Sequence, residues 1–431
     1  MDKTLKYNNF FILASALVIL AIAFSPRFPL ANIPGRTVEL RVEDILLFFF
    51  VLIWVLILSL RPRIYLTPLF KPIAVYLAIV FFTTIIALFF QKTVFSRALF
   101  YTLKEIEFFV IFLFIANCIR DKEALKKIYY VLLFAGIMSV CWALFQVVTN
   151  QGHQLFLIAP LEGVSQHKAL LARYGISLIG ETSPLTVAGF FALMSFLAYS
   201  YLFFYQGSLK KKLFFLGMGM LFTACSIYSG EKIAIVFFAV GIITLVFLDK
   251  RKIKLFFIIC LFALVLIMLL QSFVILEGSK YGDVTRAFHW KSYIGGLSER
   301  IEYCKNYIQY GSGQFLTGFG KGGQHQIFEE AHNHYVKVFL ESGIFGLMAF
   351  LWLLASVSIM SYRVFRNSKF LISKVISSAT LCALAGMSVA ALVQDAFKPV
   401  LLNEIFWVFV GLTAATYRIE RVGKLRNCET V

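Results

Sequence analysis

Apolar residues in this chain come in long, nearly uninterrupted runs. Ile253–Phe273 and Ile344–Met360 carry almost no charge over the ~17–25 residues that cross a bilayer. Hydrocarbon offers the backbone no hydrogen-bond partner, so such runs must be helices. The pattern predicts twelve spans, near 10–24, 43–60, 73–90, 106–119, 128–148, 184–205, 213–228, 232–248, 253–276, 335–361, 373–393 and 400–416. The expected fold is therefore an all-α polytopic membrane protein, a single transmembrane domain over residues 1–431 with both termini on one side. Polar connections stand out at 149–183, at 277–334 and at Gln394–Pro399. The 277–334 loop is far longer than an ordinary connection. Its aromatics, glycines and mixed charge predict order against the membrane domain.

Composition agrees with the pattern. The 431 residues are 60% hydrophobic and 15% charged, whereas a soluble domain has about a quarter of its residues charged. Charge then orients the spans. The two tails and the even-numbered loops hold 24 of the 41 lysines and arginines against six acids, so the whole net charge of +18 lies on that side. The positive-inside rule makes it cytoplasmic, with anionic lipid as its partner. No basic patch on a folded reader is visible, so nucleic acid is not an expected partner. Lys3 and Lys6, an apolar stretch and Ala21-Ile22-Ala23 also resemble a cleavable signal peptide. Twelve spans with inside tails explain the charges without cleavage. The seven cysteines form no CxxC or zinc spacing and read as apolar fillers and surface thiols.

Candidate chemistry lies in the outside loops. All six histidines, His153, His167, His289, His325, His332 and His334, fall in the two large ones. Glu329-Glu330-Ala331-His332-Asn333-His334-Tyr335-Val336-Lys337 opens the tenth span. An imidazole there can act as a general base near neutral pH, or the segment is a polar helix cap and interface anchor. Metal binding by His332 and His334 is disfavoured, because side chains two apart on a helix diverge. Arg173 and Arg300 offer planar forks suited to phosphate, or Arg300 pairs with Glu299 or Glu302. Gly318-Phe319-Gly320-Lys321-Gly322-Gly323 has the letters of a dinucleotide motif without its strand–turn–helix context. It reads as flexible turns beside a site. Glu404, in the last span, is a costly intramembrane acid that is functional, paired with an arginine or near the interface.

These residues carry a family resemblance. Ala331-His332-Asn333-His334-Tyr335-Val336, followed by Phe339-Leu340-Glu341-Ser342-Gly343-Ile344-Phe345-Gly346-Leu347, resembles the signature of the O-antigen ligase and polymerase superfamily. Arg173-Tyr174-Gly175 with Thr182-Ser183-Pro184, and Ser298-Glu299-Arg300 with Leu316-Thr317-Gly318-Phe319-Gly320, resemble its two arginine-bearing elements in the expected order. Ser229-Gly230-Glu231-Lys232 departs from the Ser-Arg pair of many relatives, and the first 150 residues match only in hydropathy.

The resemblance implies a membrane glycosyltransferase of the C class in the bacterial inner membrane, with a periplasmic active site. Its donor would be an undecaprenyl-diphosphate-linked glycan, and its acceptor the lipid A core or another lipid-linked glycan. No cofactor, nucleotide sugar or metal is implied. The catalytic set would be His332 as base, with Arg300 and Arg173 on the diphosphate. Asn333, His334, Tyr335, Glu330 and Lys321 would serve substrate binding. A ligase is expected, with a polymerase of the same chemistry as the alternative. A transporter or flippase would also have many spans, but those proteins place paired ionisable residues or broken helices near the midplane, often with internal repeats. No clear repeat is visible here.

Overall fold

A computed structural model describes residues 2–24, 26–33, 36–60, 65–149, 178, 183–229, 231–277, 290–323 and 332–428. The helices are α1 (Asp2–Phe24), α2 (Val42–Leu60), α3 (Phe70–Phe89), α4 (Phe95–Cys118), α5 (Lys122–Thr149), α6 (Pro184–Phe204) and α7 (Leu209–Tyr228). They continue with α8 (Lys232–Leu248), α9 (Ile253–Glu277), α10 (Trp290–Gly311), α11 (His334–Asn367), α12 (Leu371–Ala390) and α13 (Val400–Cys428). The protein is an all-α polytopic membrane protein, and a helix stands at each of the twelve predicted places. The extra helix, α10, lies within the large loop.

Among the described residues, six helices are long and apolar enough to cross a membrane: Phe70–Phe89, Lys122–Gln146, Leu185–Phe204, His334–Asn367, Leu371–Ala390 and Val400–Arg421. Ile233–Leu248 with Lys250–Val265, bent by 119°, adds a seventh if the pair is one span. Among the described residues, then, six or seven of the twelve expected spans meet that test. Helix α4 does not, because Lys104, Glu105 and Glu107 interrupt its apolar run.

One element has no counterpart in the sequence reading. Between α1 and α2 the chain forms an antiparallel hairpin, β1 (Arg27–Ile33) and β2 (Arg36–Arg41), with an irregularity between Pro29 and Ala31.

The core centres on α6, which is buried along nearly its whole length and packs against α7, α8, α12 and α13. Lipid and helix interior are equally apolar, so close packing and interhelical hydrogen bonds hold such bundles. Tyr199 and Thr223 join α6 to α7 at 3.1 Å, and Thr380 and Thr413 join α12 to α13 at 2.9 Å.

Helix α11 breaks at Gly343, where φ is 65° and ψ is −168°. A break frees carbonyls of the preceding turn. The loop after α10 supplies their partners: Phe319 N–H donates to Leu340 O at 2.7 Å and Gly320 N–H to Glu341 O at 2.9 Å. In return, Ile344 N–H donates to Phe315 O at 2.9 Å. A Cβ at Gly343 would lie 2.1 Å from Leu316 O, so the break requires glycine on two counts, conformation and space. Gly318, Gly320 and Gly322 also have positive φ. Residues 318–323 are buried. They form a pinned connection rather than flexible turns, and the described part of the large loop is ordered against α3, α4 and α11.

Candidate functional site

The predicted residues that the structure describes lie at the end of the bundle that bears the large loop. A helix leaves its last four carbonyls without intrahelical partners. At the end of α12 and in the turn just beyond it, the carbonyls of Ser388 and of Ala391–Val393 are taken up by residues from α10 and α11. His334 N–H donates to Ala391 O and Asn333 Nδ2 to Leu392 O, each at 2.8 Å. The Tyr335 hydroxyl donates to Ser388 O at 2.8 Å. From α10, Arg300 donates to Val393 O. Its cation therefore meets the negative end of the α12 dipole, and among the described residues it pairs with neither Glu299 nor Glu302.

Asn333 also caps α11, its Oδ1 accepting from Val336 N–H at 3.1 Å. Its amide thus accepts on one side and donates on the other. His332, just before the cap, has φ of 45° and is half-buried. His334 is buried, with ring centroids of Phe350 and Phe397 each 5.3 Å away. Its Nδ1 is enclosed without a hydrogen-bond partner among the described residues. The two histidines occupy different surroundings. Arg173 and Glu330 lie outside the described residues.

Beside the turn lies a cavity of about 350 Å³. Phe108, Phe109, Phe350, Leu353, Phe397 and Trp407 line it with apolar surface. Lys321, His334, Lys337, Lys398, Arg41 and Lys104 line it as bases, and Asp44, Glu105, Glu107 and Glu341 as acids. Of the predicted site residues, Lys321 and His334 line the cavity; His332, Arg300, Asn333 and Tyr335 do not.

Two of the cavity lysines are neutralised by their own chain. Lys104 Nζ lies 2.9 Å from Asp44, 2.8 Å from Glu107 and 3.1 Å from the fully buried Glu404. The partner of Glu404 is thus a lysine of α4 rather than an arginine. Glu43, Asp44 and Glu404 present carboxylate oxygens within 4.8 Å of one another, a spacing that could hold a metal ion. The Lys104 ammonium already contacts two of the three.

Lys321 Nζ lies 2.6 Å from Glu105 and 2.9 Å from Glu341. The Tyr76 hydroxyl donates to Glu105 at 2.5 Å, and Gly322 N–H donates to Glu341 at 3.3 Å. Burial works against the Lys321 charge, but Glu105 and Glu341 outweigh it and hold the ammonium well above the usual lysine range. Thr93 and Thr84 bond the backbone of Lys321 at 3.0 and 3.2 Å. Lys321 therefore ties the large loop to α3, α4 and α11. Nothing in the sequence singles out Glu105, and Glu341 stands there only as a letter of the family motif. Lys337, three residues past His334 and so on the same helix face, was present in the quoted segment without a role.

Fold and site together define a polytopic all-α membrane protein with a cavity that is apolar in one part and charged in another. A model of the O-antigen ligase family matches residues 217–351, which supports the resemblance seen in the sequence. The match runs from α7 into α11, taking in Arg300, Lys321, the His332–Tyr335 element and Gly343; Arg173 precedes it. No curated protein matches the chain. The family supports a glycan-transferring activity of the O-antigen ligase or polymerase-like kind, acting on lipid-linked glycans in a membrane.

Proposed function

We propose that this protein is an O-antigen ligase of the bacterial inner membrane. It takes a glycan from undecaprenyl diphosphate and passes it to the lipid A core oligosaccharide on the periplasmic face. The observation that carries this is the family match over residues 217–351, which contains both Arg300 and the His-Asn element. The cavity supports it, because a polyprenyl diphosphate needs apolar and basic surface in one place, and this cavity has both.

His332 removes the proton from the acceptor hydroxyl, whose oxygen attacks the anomeric carbon. The bond from that carbon to the diphosphate oxygen breaks, and the leaving diphosphate keeps the electron pair. One displacement inverts the carbon and needs no metal. Arg300 and Arg173 stabilise the charge that develops on the leaving group. A positioned base contributes about 10²–10⁴-fold, and a fixed charge donor roughly 3–4 kcal/mol.

The test is a gene deletion in the host, with envelope glycans separated on a gel beside strains complemented with wild type, His332→Ala and Arg300→Ala. A ligase leaves intact polymer on its carrier lipid, and only the wild type returns it to the envelope. Wild-type glycan in the presence of His332→Ala refutes the mechanism. Loss of the polymer itself identifies a polymerase with the same chemistry.

A further inference from the structure

We propose that Lys337 is an anion-binding residue of the cavity and holds a phosphate group of the lipid-linked substrate. This rests on the function proposed above, and it assigns part of that site to a residue outside the arginine pair. Lys337 is 5% exposed and lines the cavity. Its ammonium makes no hydrogen bond among the described residues. The one carboxylate within 4.0 Å there is Asp395, at 3.6 Å, beyond hydrogen-bond reach. Both Asp395 side-chain oxygens are themselves buried without a hydrogen-bond partner.

Lys104 and Lys321 differ sharply. Their carboxylates lie at 2.6 to 3.1 Å, so their charges are spent within the protein. A buried ammonium lacking hydrogen bonds is costly unless a ligand completes it. His334, one turn earlier on the same face of α11, brings an unpartnered Nδ1 to the same cavity. Lys398 lines it as well. Lysine binds phosphate as a point charge with three donors, and the apolar lining beside it suits a prenyl chain rather than a free ion.

The experiment uses the full chain purified in detergent. Binding of a polyprenyl diphosphate, of the uncharged polyprenol, of phosphatidylglycerol and of inorganic pyrophosphate is compared for wild type, Lys337→Gln and Lys337→Arg. A lost charged hydrogen bond predicts about 10- to 100-fold weaker binding of the polyprenyl diphosphate by Lys337→Gln. Polyprenol binding is unchanged, and Lys337→Arg recovers part of the loss. If Lys337→Gln binds the diphosphate as wild type does, or loses diphosphate and polyprenol equally, Lys337 is not the anion site while the proposed function stands. If phosphatidylglycerol or pyrophosphate binds in a Lys337-dependent way and polyprenyl diphosphate does not, the anion site stands and the glycan-transfer proposal falls. If wild type binds no phosphate compound, Lys337 has no such role.

Discussion

Replacing Lys321 by methionine separates two roles for this lysine. Its ammonium is 2.6 Å from Glu105 and 2.9 Å from Glu341, and Glu341 is 1% exposed. Methionine keeps most of the volume and removes the charge, leaving two buried carboxylates without their counter-ion. Breaking a buried pair in this way costs about 3–5 kcal/mol. In a chain of this size that lowers the melting temperature by on the order of 5–10 °C. Tryptophan-fluorescence melting in detergent measures it, beside Lys321→Met/Glu341→Gln, which removes one stranded charge and recovers part of the loss. The raised lysine value means the stabilisation is complete below the unfolded value of about 10.4. It is lost only as pH rises through the still higher folded value. Titration of Lys321 itself therefore adds no pH dependence to the difference between wild type and Lys321→Met between about pH 6 and 9. An unchanged melting temperature with lost glycan transfer would refute the latch and return Lys321 to substrate binding.

Two further substitutions probe the frame. Gly343→Ala puts a Cβ 2.1 Å from Leu316 O at a φ of 65°. Backbone strain alone is expected to cost roughly 1–3 kcal/mol, and the change is expected to expose the loop after α10 to limited proteolysis; wild-type resistance would contradict the tie between loop and helix break. Lys104→Met strands Asp44, Glu107 and the fully buried Glu404. A loss of about 3–5 kcal/mol, relieved by adding Glu404→Gln, should appear in the same melting assay, and an unrelieved double variant would show that the pair does not interact.

The helices were legible because a span is a local property, a long apolar run between polar ends. The hairpin before α2 was not, because Pro29 interrupts its first strand and only the short Thr37–Arg41 stretch alternates apolar with polar residues. Family letters identified Arg300 and the His332–Tyr335 element, and the structure brings both to the end of α12. What they could not convey is which side chain meets which. Glu105 and Lys321 are over two hundred positions apart, and so are Glu341 and Glu105. The same limit hid the answer to Glu404, whose counter-ion Lys104 sits some three hundred positions earlier. The split between His332 and His334 depends on where helix α11 begins. Asn333 caps the helix, so one histidine stays outside it and the other enters its first turn.

The end of α12 acts as a ruler for the site. Consecutive carbonyls of Ala391, Leu392 and Val393 receive His334, Asn333 and Arg300 in turn. One residue inserted into the last turn of that helix would rotate all three acceptors by about 100° and shift them about 1.5 Å along the axis. Length is therefore more constrained here than chemistry. Backbone carbonyls are the same whatever side chains they carry, so the turn can drift in sequence while the register between α12 and the His332–Asn333 element cannot.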